Sequence, residues 1–234
     1  LSAIGLQAGI ALENAELAES REQMARYLPP ALVEQVARGA VAIDQRGTQV
    51  DGTVLFADLR NFTALAEKQT ADKTVALLNR FFELMVEEVF AAGGALDKYL
   101  GDGLMALFGM PVKQADAGVN PALQCALQMQ SRMEVLNRER ALAGLPALGM
   151  GIGVNTGTVI VGSMGSERRM EYTAIGDAVN VASRFCSMAE AGQVLCGEGT
   201  AQRAEGFTLE ALPPGRVRGK ERPVPIFWVR EKSR

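Results

Sequence analysis

Apolar side chains at Leu6, Ile10, Leu17 and Met24 recur at three-to-four or seven spacing in a stretch rich in Ala, Glu and Leu. That pattern predicts a helix over residues 1–28 and offers a seam for a second helix. Glu13 and Ser20 interrupt the same stripe, so a helix packed on its own domain fits nearly as well. Pro29-Pro30 ends the run, because proline lacks an amide hydrogen and clashes with the preceding turn. A short apolar helix, Ala31 to Ala37, leads to Gly39, and residues 29–47 read as a connector. From residue 48 the texture changes. Val54 to Ala57 is a short apolar run with the look of a buried strand. Val75, Leu78, Phe82, Met85 and Val89 then follow helical spacing and predict an amphipathic helix that Gly93-Gly94 stops.

Ala95 to Leu100 and Leu104 to Phe108 flank the tight turn Gly101-Asp102-Gly103 and predict a hairpin. Ala122, Ala126, Met129, Met133 and Leu136 mark a second long helix. Leu148 to Asn155 and Thr158 to Val161 read as a strand pair joined at Gly157, and Asp177 to Met188 as a helix. The tail after Gln193 reads as short strands and turns. The order strand–helix–strand–strand–helix–strand predicts an α+β, ferredoxin-like fold: an antiparallel sheet with helices on one face.

The 234 residues suit one large domain, spanning 48–234, with an appendage before it. Net charge is −3, so no global basic field exists to hold nucleic acid, and none is expected as a partner. No apolar run approaches the roughly 20 residues of a membrane span. Three scattered cysteines suit a reducing, cytoplasmic setting and show no metal-clip spacing. The chain opens on Leu1 inside a helical pattern, which implies a piece of a longer protein. It contains no histidine, so its chemistry falls to carboxylates, hard metals, Lys, Arg and amides.

Asp58 follows the first apolar strand, and Asp102 sits in the hairpin turn. In a ferredoxin-like sheet the first and third strands are neighbours, so the two carboxylates meet at one edge. Like charges held that close are costly unless a cation lies between them. Oxygen donors select Mg²⁺ or Mn²⁺, and two such ions can run an in-line attack on phosphorus. Taken singly, each residue reads as turn chemistry or a solvated strand end. The connection that follows, through Phe62 and Thr63, points amides toward a possible anion.

Phe56-Ala57-Asp58-Leu59-Arg60-Asn61-Phe62-Thr63, Lys98-Tyr99-Leu100-Gly101-Asp102-Gly103 and Tyr172-Thr173-Ala174-Ile175-Gly176-Asp177-Ala178-Val179-Asn180-Val181-Ala182-Ser183-Arg184 resemble three signature segments of class III adenylyl and guanylyl cyclases. They stand in the family's order, and the resemblance covers about 48–230. It implies that Asp58 and Asp102 hold two Mg²⁺ or Mn²⁺ ions, that Asn180 orients the ribose, and that Arg184 neutralises charge on the α-phosphate. Asn180 and Arg184 are four apart on a predicted helix and so share a face. Lys98 matches the purine-reading lysine, and its ammonium only donates. Adenine N1 accepts whereas guanine N1 carries a hydrogen, so Lys98 favours ATP. Thr173 matches the partner position, where many adenylyl cyclases have Asp; its hydroxyl can accept from the 6-amino group but can also rotate and donate.

The Lys98 and Thr173 pair is similar to a subclass responsive to bicarbonate or carbon dioxide. Lys220 resembles a tail lysine on the terminal phosphates, and the basic loop around it reads equally as a solvated turn. The family's sites are shared across a dimer, which implies a homodimer acting on ATP. Gln7 to Asn14 resembles the closing helix of GAF-type sensor domains, and Arg26-Tyr27-Leu28-Pro29-Pro30 a connector found before bacterial cyclase domains. Both imply an upstream sensor and an N-terminal signalling helix. An inactive nucleotide-binding module and a guanylyl cyclase stand as alternatives.

Overall fold

The computed structural model describes residues 47–110, 116–166, 169–216 and 222–231. The expected helix over 1–28, the connector up to Arg46, and Lys220 lie outside the described residues. In chain order the elements are β1 (Thr48–Arg60), α1 (Phe62–Ala66), α2 (Ala71–Ala91), β2 (Ala95–Leu100), β3 (Gly103–Phe108), α3 (Val119–Leu142) and β4 (Gly149–Ser166). There follow β5 (Arg169–Ile175), α4 (Asp177–Met188), β6 (Val194–Gly197), α5 (Glu198–Ala201), β7 (Phe207–Gly215) and β8 (Val224–Glu231).

The strands form one sheet in the order β2-β3-β1-β4-β6-β8-β7, with β5 paired to β4. The run β2-β3-β1-β4 is the expected ferredoxin-like core, and each of its neighbouring pairs is antiparallel. The whole sheet is mixed, however, because β6 pairs parallel to β4. The expected strand break at Gly157 is absent. Gly157 sits opposite Gly52 inside a continuous ladder, and β4 runs unbroken. A glycine there serves packing rather than a turn: a Cβ would lie 3.3 Å from the Cβ of Ala178 on α4.

Strand alternation divides the core into two layers. Leu55, Ala57 and Leu59 of β1, with Met150, Ile152 and Val154 of β4, face α2 and α3 in the main cluster. Val54 faces the other way and packs with Ala178 and Ala182 of α4. Helices therefore cover both faces, not the one face expected. The reason lies in Gly153, where an added Cβ would strike the backbone of Ala182 and Cys186. With no side chain there, α4 lies directly on the strand.

In α2 the buried positions are Leu77, Phe81, Leu84, Met85 and Val89, while Val75 is exposed. The doubled pairs Leu77-Leu78 and Phe81-Phe82 admit two helical phases, and packing selects the first. Phe82 instead meets Tyr99 of β2, ring centroids 4.3 Å apart. In α3 all five expected positions are buried. No helix among the described residues is long and apolar enough to cross a membrane.

Candidate active site

Asp58 is the third-last residue of β1 and pairs in register with Gly103, the residue after Asp102. The Leu59 amide donates to the Asp102 carbonyl at 3.3 Å, which ties the hairpin turn to the strand end. The two carboxylates thus share one sheet edge, as the sequence implied. Partial burial pushes the Asp58 carboxyl above the ordinary range, and the Asp102 charge adds to it; Arg60 pulls the other way. Desolvation is thus the main cause of the shift, and like-charge repulsion within the acidic pair the second.

The donor set fits hard divalent cations. Two carboxylates are present, and no cluster of three or more His, Cys, Asp or Glu side chains joins them among the described residues. The remaining ligands would then be water, backbone carbonyls or substrate phosphates, the usual surroundings of Mg²⁺.

The raised Asp58 pKa sets a stability prediction. A carboxyl whose native pKa exceeds its unfolded value is easiest to fold when protonated, so its ionised form burdens the fold at neutral pH. Without divalent metal at pH 7, Asp58→Asn should melt higher than wild type by about 1–3 °C. The gap should close as pH falls through the native pKa toward the ordinary value. Calorimetry in chelator across pH 4–8 checks this; a lower melting point for the variant at pH 7 would reverse the assigned sign.

Arg60 carries a role that its sequence position did not disclose. Its Nη1 donates to Asp58 Oδ2 at 2.9 Å, its Nε to the Ala189 carbonyl at 2.9 Å, and its Nη2 to the Cys186 carbonyl. Those carbonyls are at the C-terminal end of α4, where a cation also complements the helix dipole. Gly151 leaves the space, since a Cβ there would overlap the Arg60 guanidinium. One side chain therefore links the candidate metal edge to the helix bearing Asn180 and Arg184.

Asn61 adopts a left-handed conformation, φ 59°, and turns the chain from β1 into α1. Phe62 and Thr63 open that helix, and no side chain caps its start. On α4, Asn180 and Arg184 are exposed while Val181, Ala182, Phe185 and Cys186 are buried, so the predicted shared face points outward. Among the described residues no hydrogen bond or ion pair joins Asn180 or Arg184 to Asp58 or Asp102.

Lys98 and Thr173, distant in sequence, meet around Asp97. The Thr173 hydroxyl donates to Asp97 Oδ2 at 2.8 Å, and Lys98 Nζ lies 3.6 Å from the same oxygen. Lys98 also pairs with Glu171 at 2.9 Å. Burial works against its ammonium, but Glu171 and Asp97 outweigh that and hold its pKa above the ordinary lysine value. Asp97 was not among the residues expected from sequence. It sits beside Lys98 in a strand, and nothing in a one-dimensional pattern shows β5 reaching it.

A family model described as the adenylate and guanylate cyclase catalytic domain matches residues 45–231. The chain belongs to the class III nucleotide cyclases. An adenylate cyclase of Anabaena cylindrica is 30% identical over 96% of this chain and 46% of its own length. Adenylate cyclase 1 of Rhizobium meliloti is 30% identical over 88% of this chain and 31% of its own. The chain thus spans less than half of each. Among solved structures, the adenylyl cyclase CyaB from P. aeruginosa superposes with a TM-score of 0.78 at 34% identity, covering 80% of this chain and 97% of that one. A guanylyl cyclase crystal structure gives 0.73 at 33%, covering 79% and 94%. This cyclase domain therefore resembles enzymes of both base specificities to a similar degree, and the class implies metal-dependent chemistry.

Proposed function

We propose that the chain is an adenylyl cyclase that converts ATP to 3′,5′-cyclic AMP and pyrophosphate in sites shared across a homodimer. The observation that carries the reading is the meeting of Lys98 and Thr173 around one buried carboxylate. This gives the base site a donor for adenine N1 beside a hydroxyl for the 6-amino group.

Asp58 and Asp102 would hold two Mg²⁺ or Mn²⁺ ions, which when bound supply charge neutralisation to the ribose 3′-hydroxyl and the triphosphate. In the reaction O3′ bonds to the α-phosphorus as the bond from that phosphorus to pyrophosphate breaks, and the hydroxyl proton leaves to water. Asn180 would hold the ribose so that O3′ stays in line. Arg184 would meet the charge growing on the α-phosphate. Phe62 and Thr63, at the start of α1, and Lys220 would line the phosphate side. The dimer reading is supported by the absence, among the described residues, of any hydrogen bond or ion pair joining Asn180 or Arg184 to Asp58 or Asp102 of the same chain. Exposed Ile160 and Ile175, paired across β4 and β5, leave apolar surface for a second copy. The region before residue 48 would carry a signal from an upstream sensor.

The test is one incubation of the purified chain with ATP or GTP and Mg²⁺ or Mn²⁺, with products separated by chromatography. Cyclic AMP from ATP, at least about tenfold faster than cyclic GMP from GTP, is the expected result. Preferred cyclic GMP would make it a guanylyl cyclase. Nucleotide binding without product would make it an inactive module.

A further inference from the structure

Thr173 alone is an ambiguous reader. A hydroxyl has one proton to donate and lone pairs to accept with. It could accept from the 6-amino group of adenine or donate to the 6-oxo group of guanine. We propose that Asp97 is a positioning residue that removes this ambiguity: by taking the Thr173 proton, it leaves Thr173 able only to accept from the base, and so selects adenine over guanine. The inference rests on the adenylyl cyclase reading of the site.

The geometry supports each link. Asp97 Oδ2 lies 2.8 Å from the Thr173 hydroxyl oxygen, a normal hydrogen bond for that pair. An ionised carboxylate has no proton to give, so the hydroxyl must be the donor. The Asp97 side chain is fully buried, and Thr173 is 7% exposed, which shields the bond from competing water. Burial pushes the Asp97 carboxyl up, while the Thr173 hydroxyl and the Lys98 ammonium favour its charged form. Lys98 Nζ lies 3.6 Å from the same oxygen but is held at 2.9 Å by Glu171, so Asp97 sets the Thr173 reader while Lys98 keeps its own partner: the pair offers a donor for N1 and an acceptor for the 6-position. Adenine matches both, and guanine opposes both.

Stability alone gives little reason for this residue. Among the described residues Asp97 Oδ1 is buried with no hydrogen bond of good geometry, although the Ala174 backbone favours the charged form of the carboxylate. Such an atom costs stability, and an uncharged side chain would relieve it. A group retained at a cost to the fold points to a role in the site.

The experiment measures kcat/KM for ATP, GTP and ITP in the wild-type chain, Asp97→Asn, Thr173→Val and the double variant. ITP shares the 6-oxo group of guanine and lacks its 2-amino group. The amide that Asp97→Asn introduces can donate to the Thr173 hydroxyl and free its proton. Asp97→Asn should therefore lower the ATP preference over both GTP and ITP about tenfold, the discrimination of roughly one hydrogen bond. In the Thr173→Val background the same substitution should leave the preference unchanged, since the reader is gone. Equal losses with all three substrates, or the same tenfold fall in the Thr173→Val background, would overturn the proposal. If Asp97→Asn does not fold, Thr173→Ser and Thr173→Val decide: serine should keep the preference and valine lose it, and a valine variant with wild-type preference overturns the idea. A wild-type chain that makes no cyclic nucleotide would instead sink the cyclase reading, a result distinct from an unchanged preference.

Discussion

Asp58→Ala or Asp102→Ala should lower cyclase turnover by about a thousandfold or more, because each removes a carboxylate from the acidic pair proposed to hold cations at this edge. A metal acting on a phosphoryl oxygen supplies several kcal/mol in the transition state, and each ~1.4 kcal/mol is a factor of ten. The loss should appear in kcat at saturating ATP and should not be restored by raising Mg²⁺ or Mn²⁺. Folding is not expected to fail. Asp58 is 41% exposed at its side chain, and its ionised form is disfavoured where it stands. Asp58→Ala does release Arg60, which keeps its two α4 carbonyls as partners. The check is a steady-state assay beside a thermal melt for each variant. A folded variant with full turnover would show that the acidic pair does not serve the chemistry.

The two aspartates were legible in the sequence because their placement depends on local features. A strand end and a tight hairpin turn are written in consecutive residues, and ferredoxin-like order brings them together. Asn180 and Arg184 were legible as a shared face for the same reason: a spacing of four on one helix is local. What the sequence hid depends on the path of β4. Gly157 reads as a turn when taken alone, whereas Gly151, Gly153 and Gly157 are the places where Arg60 and α4 press onto the strand. Without those close approaches in view, strand order alone puts the helices on one face and cuts β4 in two. Asp97 was hidden for a related reason. Its partner Thr173 lies on β5, and only the full length of β4 allows β5 to pair with it and still reach β2.

Mixing Asp58→Ala chains with Arg184→Ala chains should restore activity that neither has alone. In the proposed dimer each site takes its acidic pair from one subunit and its α4 face from the other. A mixed dimer then has one site with both lesions and one with none. Random exchange makes half the dimers mixed, so the mixture should reach about a quarter of wild-type activity, on the order of a hundredfold above either parent. The assay titrates one variant into the other at constant total chain, with exchange verified by differently tagged subunits. The curve should peak near equal proportions. Exchange without any rise would mean that both halves of the site come from one chain. The Arg60 link sharpens the expectation, because it joins the metal edge of one site to the helix serving the other. The single working site in a mixed dimer takes its acidic pair from the Arg184→Ala subunit, where Arg60 still holds Asp58, so a Mn²⁺ titration of the mixture should give the same half-saturation as wild type.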